Sequence, residues 1–363
     1  MSQKVVYHWF EEIVEHMPLK KWQGLNLASL SMGVVLARSS LLTVVAEHLG
    51  MMGSADSMER RLQRFISNSR VDIEACCTAW VKWVMMSLSE GAIILLVDET
   101  KLGNHLSVMM VGLAYRGRCI PLAWCSYAPD AWPMSQVDLI EHLLKLVAAG
   151  LPAGMIPLLQ ADRGIGTSPE LVRRVEALGW QYLFRVQGHT AFRSLQGYAS
   201  PLDHLVNPGK SCYQPGFVFR DAGWLPTHVH IIWRKRFAQP WCLITNAPTL
   251  AGITYALRAW QEQAFRDLKR GGWHWNQSRV WEPPHADRLL LALTLAYAWM
   301  LSLGTAVIRS GHRARLVLSR GSQWRFSVFR LGLRRFFALL FSARPIPVSL
   351  CFVPHPPLAK SVV

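Results

Sequence analysis

Two short apolar segments, each followed directly by an aspartate, constrain the fold of this chain more than any other feature. Residues 91–98 read GAIILLVD and residues 155–162 read MIPLLQAD. Apolar runs of this length, bounded by turn residues, are typical of strands that are buried on both faces of a sheet. The sequence therefore predicts two buried strands, with Asp98 and Asp162 at their ends.

The segments around these two strands follow a defined order. Further strands are predicted at 106–117, 118–129 and 182–188, and helices at 135–149 and 168–178. The first two of these strands form a hairpin around Gly117, and Ser168 followed by Pro169 is a typical helix start. Strand, hairpin, helix, strand, helix, strand is the order of a ribonuclease-H-like fold. We therefore predict an α/β protein whose core is a ribonuclease-H-like mixed sheet.

Changes in composition divide the chain into five segments. The first is a helical region at 1–90, predicted to bind DNA. The core follows in two parts, 91–190 and 249–310, and a β-rich insertion at 191–248 precedes the predicted helix that carries Glu262. The basic residues 311–363 are predicted to form a C-terminal tail, whose Pro-rich part after Arg344 is expected to be loose.

The charge balance points to a polyanionic partner. The chain has 39 Lys and Arg residues against 23 Asp and Glu, a formal charge of +16. Nucleic acid is the simplest partner, with acidic lipid or a merely basic enzyme surface as alternatives. Arg60, Arg61 and Arg64 are predicted to share the outer face of an amphipathic helix at 57–67. That face fits a helix that contacts phosphate and fits a solvated basic surface equally well.

Cysteine usage and the first residues indicate a cytoplasmic protein. The seven cysteines are scattered and form no CxxC pair, which argues against a disulfide framework and a zinc finger. The first sixteen residues contain acidic side chains where a signal peptide needs an apolar core. Leu289 to Ile308 is a run of twenty residues without charge. It is long enough to cross a bilayer and equally suits a buried core helix, and no membrane association is predicted.

Four polar residues recur on one face of a predicted uninterrupted helix. Tyr255, Arg258, Glu262 and Lys269 lie at offsets of three, seven and fourteen. At about 100° per residue they project into a sector roughly 60° wide. One carboxylate, two cations and a phenol on one face would suit a metal ion held beside a phosphate backbone.

Asp98, Asp162 and Glu262 together predict metal-dependent phosphodiester chemistry. Two Mg²⁺ ions, for which Mn²⁺ can substitute, need hard anionic oxygen ligands. Taken singly, an aspartate at a strand end is more often a cap or turn residue. Asp162 could shape the turn before Gly164, and Glu99 competes with Asp98.

The chain resembles a known family at these motifs. Tyr255-x2-Arg258-x3-Glu262-x6-Lys269 is similar to the Tyr-Arg-Glu-Lys signature of bacterial insertion-sequence DDE transposases of the insertion-sequence-4 group. VDETKLG around Asp98 and LLQADRGIG around Asp162 resemble the first and second acidic motifs of that group. The resemblance covers about residues 57 to 300.

The resemblance implies a cut-and-paste transposase in the bacterial cytoplasm, associated with the nucleoid. Its partners would be double-stranded DNA, as terminal inverted repeats and target, and a second copy of the chain in the DNA complex. Asp98, Asp162 and Glu262 would be the metal triad. Tyr255, Arg258 and Lys269 would contact phosphate. Each of these six residues lies at a matching position of the family motifs quoted above.

The resemblance also implies a tryptophan that stacks on a flipped base. Trp241 is the candidate, with Trp233 and Trp224 as rivals, and core packing is an alternative role for each.

Two other functions of the protein stay open at this point: a nuclease or resolvase that cleaves without joining, and a catalytically silent protein that still binds DNA.

Overall fold

A single mixed sheet of ten strands organises the protein, as seen in a computed structural model that describes residues 3–88, 91–311 and 326–353. The order across the sheet is β3-β2-β1-β4-β5-β10-β9-β8-β6-β7. Helices flank it, so the mixed α/β architecture predicted from the sequence is confirmed and is consistent with a ribonuclease-H-like transposase fold. The strands are β1 (Ile94–Leu102), β2 (Leu106–Tyr115), β3 (Arg118–Tyr127), β4 (Leu158–Ala161), β5 (Gln181–Val186), β6 (Ala191–Ser194), β7 (Ala199–Pro201), β8 (Ser211–Val218), β9 (Leu225–Ile232) and β10 (Trp241–Thr245).

Within the described residues, five helices precede the first strand. The α-helices are α1 (Gln3–His16), α2 (Lys21–Ala37), α3 (Leu42–Glu47), α4 (Ala55–Ile66), α5 (Ile73–Met86), α6 (Gln136–Gly150), α7 (Arg163–Gly166), α8 (Pro169–Ala177), α9 (Ala259–Arg266), α10 (Pro283–Arg309) and α11 (Val328–Phe341). Short 3₁₀ helices lie at Leu202–His204, Arg220–Ala222, Gly252–Arg258 and Trp275–Gln277. Helix α8 begins as predicted, because the Ser168 side chain accepts the Leu171 amide and Pro169 occupies the first turn.

Strand β1 lies between the hairpin and β4. It pairs antiparallel with β2 and parallel with β4, and β4 stops at Ala161 while β1 continues to Leu102. Asp98 therefore lies in the middle of β1, and its prediction as a strand-end residue was wrong. Asp162 does follow the last residue of its strand. Both aspartates lie where β4 ends. Beyond this point β1 pairs only with β2, which leaves an open edge beside the aspartates.

The β-rich segment extends the core sheet. Strand β10 pairs antiparallel with β5, and β9, β8, β6 and β7 continue outward from it. The chain then leaves β10 for the helical segment that carries Glu262. Strand β10 is hydrogen-bonded to β5 of the core sheet. The start of the helical segment that follows β10 is therefore held next to the core.

The segment that carries Glu262 changes helix type twice. It is 3₁₀ from Gly252 to Arg258, α-helical from Ala259 to Arg266, and π-helical from Asp267 to Gly271. The prediction of one uniform helix was therefore wrong, although the helical run is continuous. The π turn accompanies a buried contact, since Asp267 accepts hydrogen bonds from Arg118 and from the Tyr297 hydroxyl.

Helix α10 contains the uncharged run and is a core helix. It is the one helix in the described part of the chain with the length and composition to cross a membrane, yet 89% of its most apolar window is buried inside the protein. It packs against α2, β3 and α11. Burial on all sides explains the absence of charge without a bilayer.

Helix α11 approaches α10 closely through glycine. An added Cβ at Gly332 would lie 1.7 Å from the Met300 carbonyl oxygen, and one at Gly304 would lie 1.9 Å from the Val328 carbonyl oxygen. Both obstacles are backbone atoms and cannot rotate away. The two helices can therefore adopt this spacing only with glycine at the contact.

We expect Gly332→Ala to lower the free energy of unfolding by about 3 kcal/mol, because the helices must separate to admit the methyl group. Urea unfolding of the purified protein measures this effect. The matched control is Gly50→Ala, since an added Cβ there meets no atom within 4 Å. Equal stability of the two variants would contradict the close packing of α10 and α11.

The segment after Arg344 is packed over residues 345–353, so its prediction as loose was wrong for this part. The side chains of Ile346, Leu350 and Phe352 are buried. The Trp299 indole donates to the Pro347 carbonyl oxygen at 2.7 Å, and Phe352 forms a β-bridge with Leu88. Residues 312–325 and 354–363 of the predicted tail lie outside the described residues.

Candidate active site

Asp98 and Asp162 are neighbours at one edge of the sheet. Strands β1 and β4 are parallel, and Val97 lies opposite Ala161. An aspartate follows each of these two residues in the sequence. The register of β1 and β4 therefore brings the two carboxylates together. The Asp98 side chain is 14% exposed and that of Asp162 is 34% exposed.

The two oxygens of Asp162 have different partners. Its Oδ1 accepts the amides of Gly164 at 2.9 Å and Ile165 at 3.1 Å, which caps α7. Its Oδ2 lies 3.5 Å from Arg258 Nη2. The turn-forming role and the site role predicted for Asp162 as alternatives are therefore compatible, because the oxygen near Arg258 is not the one that caps α7.

Arg258 joins all three predicted carboxylates. Its Nη2 donates to Asp98 Oδ2 at 2.8 Å and lies close to Asp162, while its Nη1 donates to Glu262 Oε1 one helical turn away. Arg258 ends the 3₁₀ segment and its side chain is 14% exposed. A planar fork suits this role, since its nitrogens can face different carboxylates at once.

Burial raises the pKa of Asp98 to about 6. Arg258 opposes this shift, whereas the nearby charges of Asp162 and Glu262 add to it. Without a further cation, three carboxylates around one guanidinium leave the site with more negative than positive charge. Such a site favours either a proton or an additional cation.

We expect the unfolding free energy of the metal-free protein to decrease as the pH rises from 4 to 6, in part through Asp98. The folded pKa of about 6 exceeds the reference value of 3.8, so the folded state holds this proton over that interval while the unfolded state releases it. The contribution is on the order of 2 kcal/mol. Asp98→Asn should remove it, as measured by chemical unfolding in EDTA at several pH values. An identical pH dependence in parent and variant would contradict the assignment.

The donor set fits a hard divalent cation. Within the described residues, no group of three His, Cys, Asp or Glu side chains is arranged to hold a metal ion. The Arg258 guanidinium lies among the three carboxylates. Oxygens of Asp98 and Asp162 nevertheless converge on one cationic nitrogen. Carboxylate oxygens that already converge on one positive group are the ligands that Mg²⁺ and Mn²⁺ prefer.

Tyr255 and Lys269 flank Arg258 at different depths. Tyr255 is buried, and burial raises the pKa of its hydroxyl to about 12. Lys269 donates to the carbonyl oxygen of Lys101, three residues after Asp98 on β1. The structure therefore places Lys269, which is half-exposed, beside the strand of the first aspartate. Tyr255 lies in the interior, where its ring packs against Trp241.

Glu99 belongs to a different environment from Asp98. Successive side chains of a strand point to opposite faces. Glu99 lies near Tyr127 of β3 and, after burial, contributes to the raised pKa of that hydroxyl. The arginine that gathers the carboxylates contacts Asp98, which favours Asp98 over Glu99 as the first acidic residue.

A cavity of about 610 Å³ opens beside Asp162 and was missed from the sequence. Cationic, imidazole and indole groups share its wall: Arg163, Arg185, His189, His204 and Trp233. The Nε of Arg185 is buried with no hydrogen-bond partner in the described structure. Arg185 could be found from the sequence only as a charge inside the otherwise apolar strand YLFRV.

Trp241, the predicted base-stacking residue, does not line this cavity. Its ring packs edge-on against Tyr255 at 5.3 Å and lies tilted against Phe237 at 5.6 Å. It is half-buried at the start of β10 and is absent from the cavity wall, which Trp233 joins instead. Trp224 lies elsewhere, with its ring 4.8 Å from the Arg193 guanidinium.

Only two of the three predicted arginines on α4 are exposed. Arg60 and Arg64 face outward one turn apart. Arg61 turns toward α2, where its Nε donates to Asn26 Oδ1 at 2.5 Å, and burial lowers its pKa. The expectation of three arginines on one outer face was wrong for Arg61, because this position faces the neighbouring helix.

Residues 137–299 match the family model of the transposase DDE domain. The matched range contains Asp162 and the helical segment with Tyr255, Arg258, Glu262 and Lys269, and it begins after Asp98. A search of curated proteins gives no match. The match and the convergence of three carboxylates support a DDE transposase, a family of DNA-acting enzymes that generally use divalent metal ions.

Proposed function

We propose that this protein is a transposase of the insertion-sequence-4 group, which cleaves and joins DNA at the terminal inverted repeats of an insertion sequence. The observation that carries this proposal is the contact of the single Arg258 guanidinium with Asp98, Asp162 and Glu262. Carboxylates from two adjacent strands and a late helix thus meet at one point. These three residues would hold two Mg²⁺ ions, or Mn²⁺ in their place.

The residues of the site divide the chemistry between them. The metal ions, when bound, supply activation of water or a 3′-hydroxyl and stabilisation of the leaving oxygen. Asp98, Asp162 and Glu262 provide the anionic ligands. Arg258 and Lys269 provide fixed positive charge for orienting a phosphate, and Arg258 can do so when metal ions replace it at the carboxylates.

The proposal is tested with labelled duplex DNA that carries the repeats flanking the gene, incubated with purified protein in Mg²⁺ or EDTA. Metal-dependent cleavage at the repeat end followed by joining to a second DNA supports a transposase. Cleavage without joining would indicate a nuclease or resolvase. Binding to the repeats without cleavage would indicate a catalytically silent derivative.

The proposed partners are double-stranded DNA and a second copy of the chain in the bacterial cytoplasm. The charge of +16 supports a polyanionic partner. Exposed Arg60 and Arg64 on α4 supply a surface for phosphate contacts in the N-terminal region. Light scattering of the protein with and without repeat DNA measures whether two copies assemble on it.

The cavity beside Asp162 refines the proposed stacking of a flipped base. We expect Trp233→Ala to reduce cleavage about tenfold with little change in stability, because its ring joins the cavity wall. Trp241→Ala should instead reduce the free energy of unfolding by about 2 kcal/mol, since its ring packs on Tyr255. Cleavage and urea unfolding of both variants check this. A cleavage loss with intact stability at Trp241 would return the stacking role to that residue.

A further inference from the structure

A second basic pocket lies between the end of α2 and helix α11, outside the carboxylate site. Its volume is about 410 Å³, and its wall consists of three arginines, two phenylalanines and one leucine: Arg38, Phe326, Arg330, Leu333, Arg334 and Phe337. None of the described residues that line this wall is a carboxylate. A pocket with three guanidinium groups and aromatic walls is complementary to an anion that also carries a flat apolar face.

The arginines of this pocket are held on rigid elements. Arg330 and Arg334 are exposed one turn apart on α11, and the opposite face of α11 is locked against α10 at Gly332. Like charges at this spacing weaken a helix slightly. Arg38 joins them from the end of α2, where its φ of 50° is unfavourable for a residue with a side chain. The fold therefore maintains three like charges in one place.

Aromatic rings continue from the pocket along α11. The Arg334 guanidinium lies 3.9 Å from the centroid of the Phe326 ring. Phe337 stacks on Phe341 with 5.9 Å between centroids, and Phe341 is 83% exposed. An exposed aromatic side chain beside arginines offers a surface on which an unpaired base can stack. A duplex, whose bases are already stacked, would make little use of these rings.

The pocket is connected to the segment that carries Lys269. Phe329 of α11 packs edge-on against Trp273 at 5.2 Å. Burial raises the pKa of Asp267 in the π turn, and the positive charge of Arg330 opposes this rise, as does that of Arg118. A nucleic acid strand that reached this pocket would therefore lie on the side of the protein to which Lys269 belongs.

We propose that the pocket of Arg38, Arg330 and Arg334 binds an unpaired strand of DNA, with phosphates at the arginines and a base stacked on Phe337 and Phe341. The inference rests on the proposed transposase function, because flipping a base out of the duplex at a transposon end leaves part of a strand unpaired. It adds a contact made by the C-terminal helix to those of the carboxylate site. Its occupant is single-stranded DNA, recognised by charge and stacking without regard to base sequence.

The test measures binding of the full chain to a labelled single-stranded oligonucleotide and to its duplex, in EDTA and over a range of salt concentrations. Arg330→Ala combined with Arg334→Ala should weaken single-strand binding at least tenfold and reduce the salt slope by about 0.7 per arginine. The matched control is Lys21→Ala combined with Lys82→Ala, which removes the same charge from exposed positions outside the pocket. Phe341→Ala should weaken single-strand binding and leave duplex binding unchanged.

Three results would overturn this proposal. Equal losses in the arginine and lysine variants would show a general charge effect. Unchanged single-strand binding by Phe341→Ala would show that no base stacks there. Loss of a dimer in Phe341→Ala with unchanged DNA binding would assign the surface to a second copy of the chain. The assay contains no metal, so its failure is separate from any failure of metal-dependent cleavage at the carboxylate site.

Discussion

Glu262→Gln should reduce metal-dependent DNA cleavage about 10³-fold, equivalent to ~4 kcal/mol in the barrier. The change keeps the size of the side chain and removes the negative charge that a metal ion needs. Because the Glu262 side chain is 54% exposed, its removal should leave the free energy of unfolding nearly unchanged. The loss can therefore be assigned to chemistry, as measured by single-turnover cleavage of repeat DNA in Mg²⁺.

Glu282→Gln is the matched control for this experiment, since its carboxylate is 61% exposed and lies outside the site. It should cleave like the parent protein. Isothermal titration with Mn²⁺ adds a readout without DNA, in which Glu262→Gln should bind more weakly than the control. Parent-like cleavage by Glu262→Gln would remove Glu262 from the triad and with it the basis of the proposed function.

Arg258→Ala should change metal binding and catalysis in opposite directions. Removing the guanidinium frees Asp98 and Asp162 from a competing cation, so Mn²⁺ should bind more tightly. The same change removes a cation that orients phosphate, so cleavage should fall by at least 10²-fold. In EDTA the variant should also unfold more easily, because the buried Asp98 loses its partner at 2.8 Å.

Added Mn²⁺ should restore more stability to Arg258→Ala than to the parent protein, because the ion binds only the folded site. Arg266→Ala, at an exposed position of α9, is the matched control and should behave like the parent. Arg258→Lys keeps the charge and loses the fork, which separates charge from geometry. Weaker Mn²⁺ binding by Arg258→Ala would show that the arginine organises the carboxylates and does not compete for them.

The core sheet and two of its acids could be predicted from the sequence because both depend on local patterns. Buried strands require uninterrupted apolar runs, and a polar residue after such a run marks an exposed edge. These rules placed Asp162 directly after β4. Asp98 was predicted to end its strand, yet β1 continues through ETKL because β2 pairs with it there. Pairing with a remote strand overrides the local signal.

The remaining features depend on contacts between distant parts of the chain. The π turn after Arg266 accompanies the burial of Asp267 against Arg118, which lies 149 residues away. The position of Arg61 depends on Asn26, and the packing of residues 345–353 depends on α10 and on Leu88. Periodicity within one segment contains no information about such partners. Sequence reasoning therefore predicted that three carboxylates lie near one another better than it predicted the local geometry that holds them.

The bridge between Phe352 and Leu88 has a consequence for synthesis of the protein. Helix α1 leaves the ribosome early, but residues 345–353, one of which contacts it, are made after every other described residue. Ser349 also donates to Glu12 of α1, which joins the two extremes of the described chain. The folded state is thus completed only after residues 345–353 have been synthesised. A nascent chain that has already exposed its α4 arginines still lacks the contacts that close the native structure.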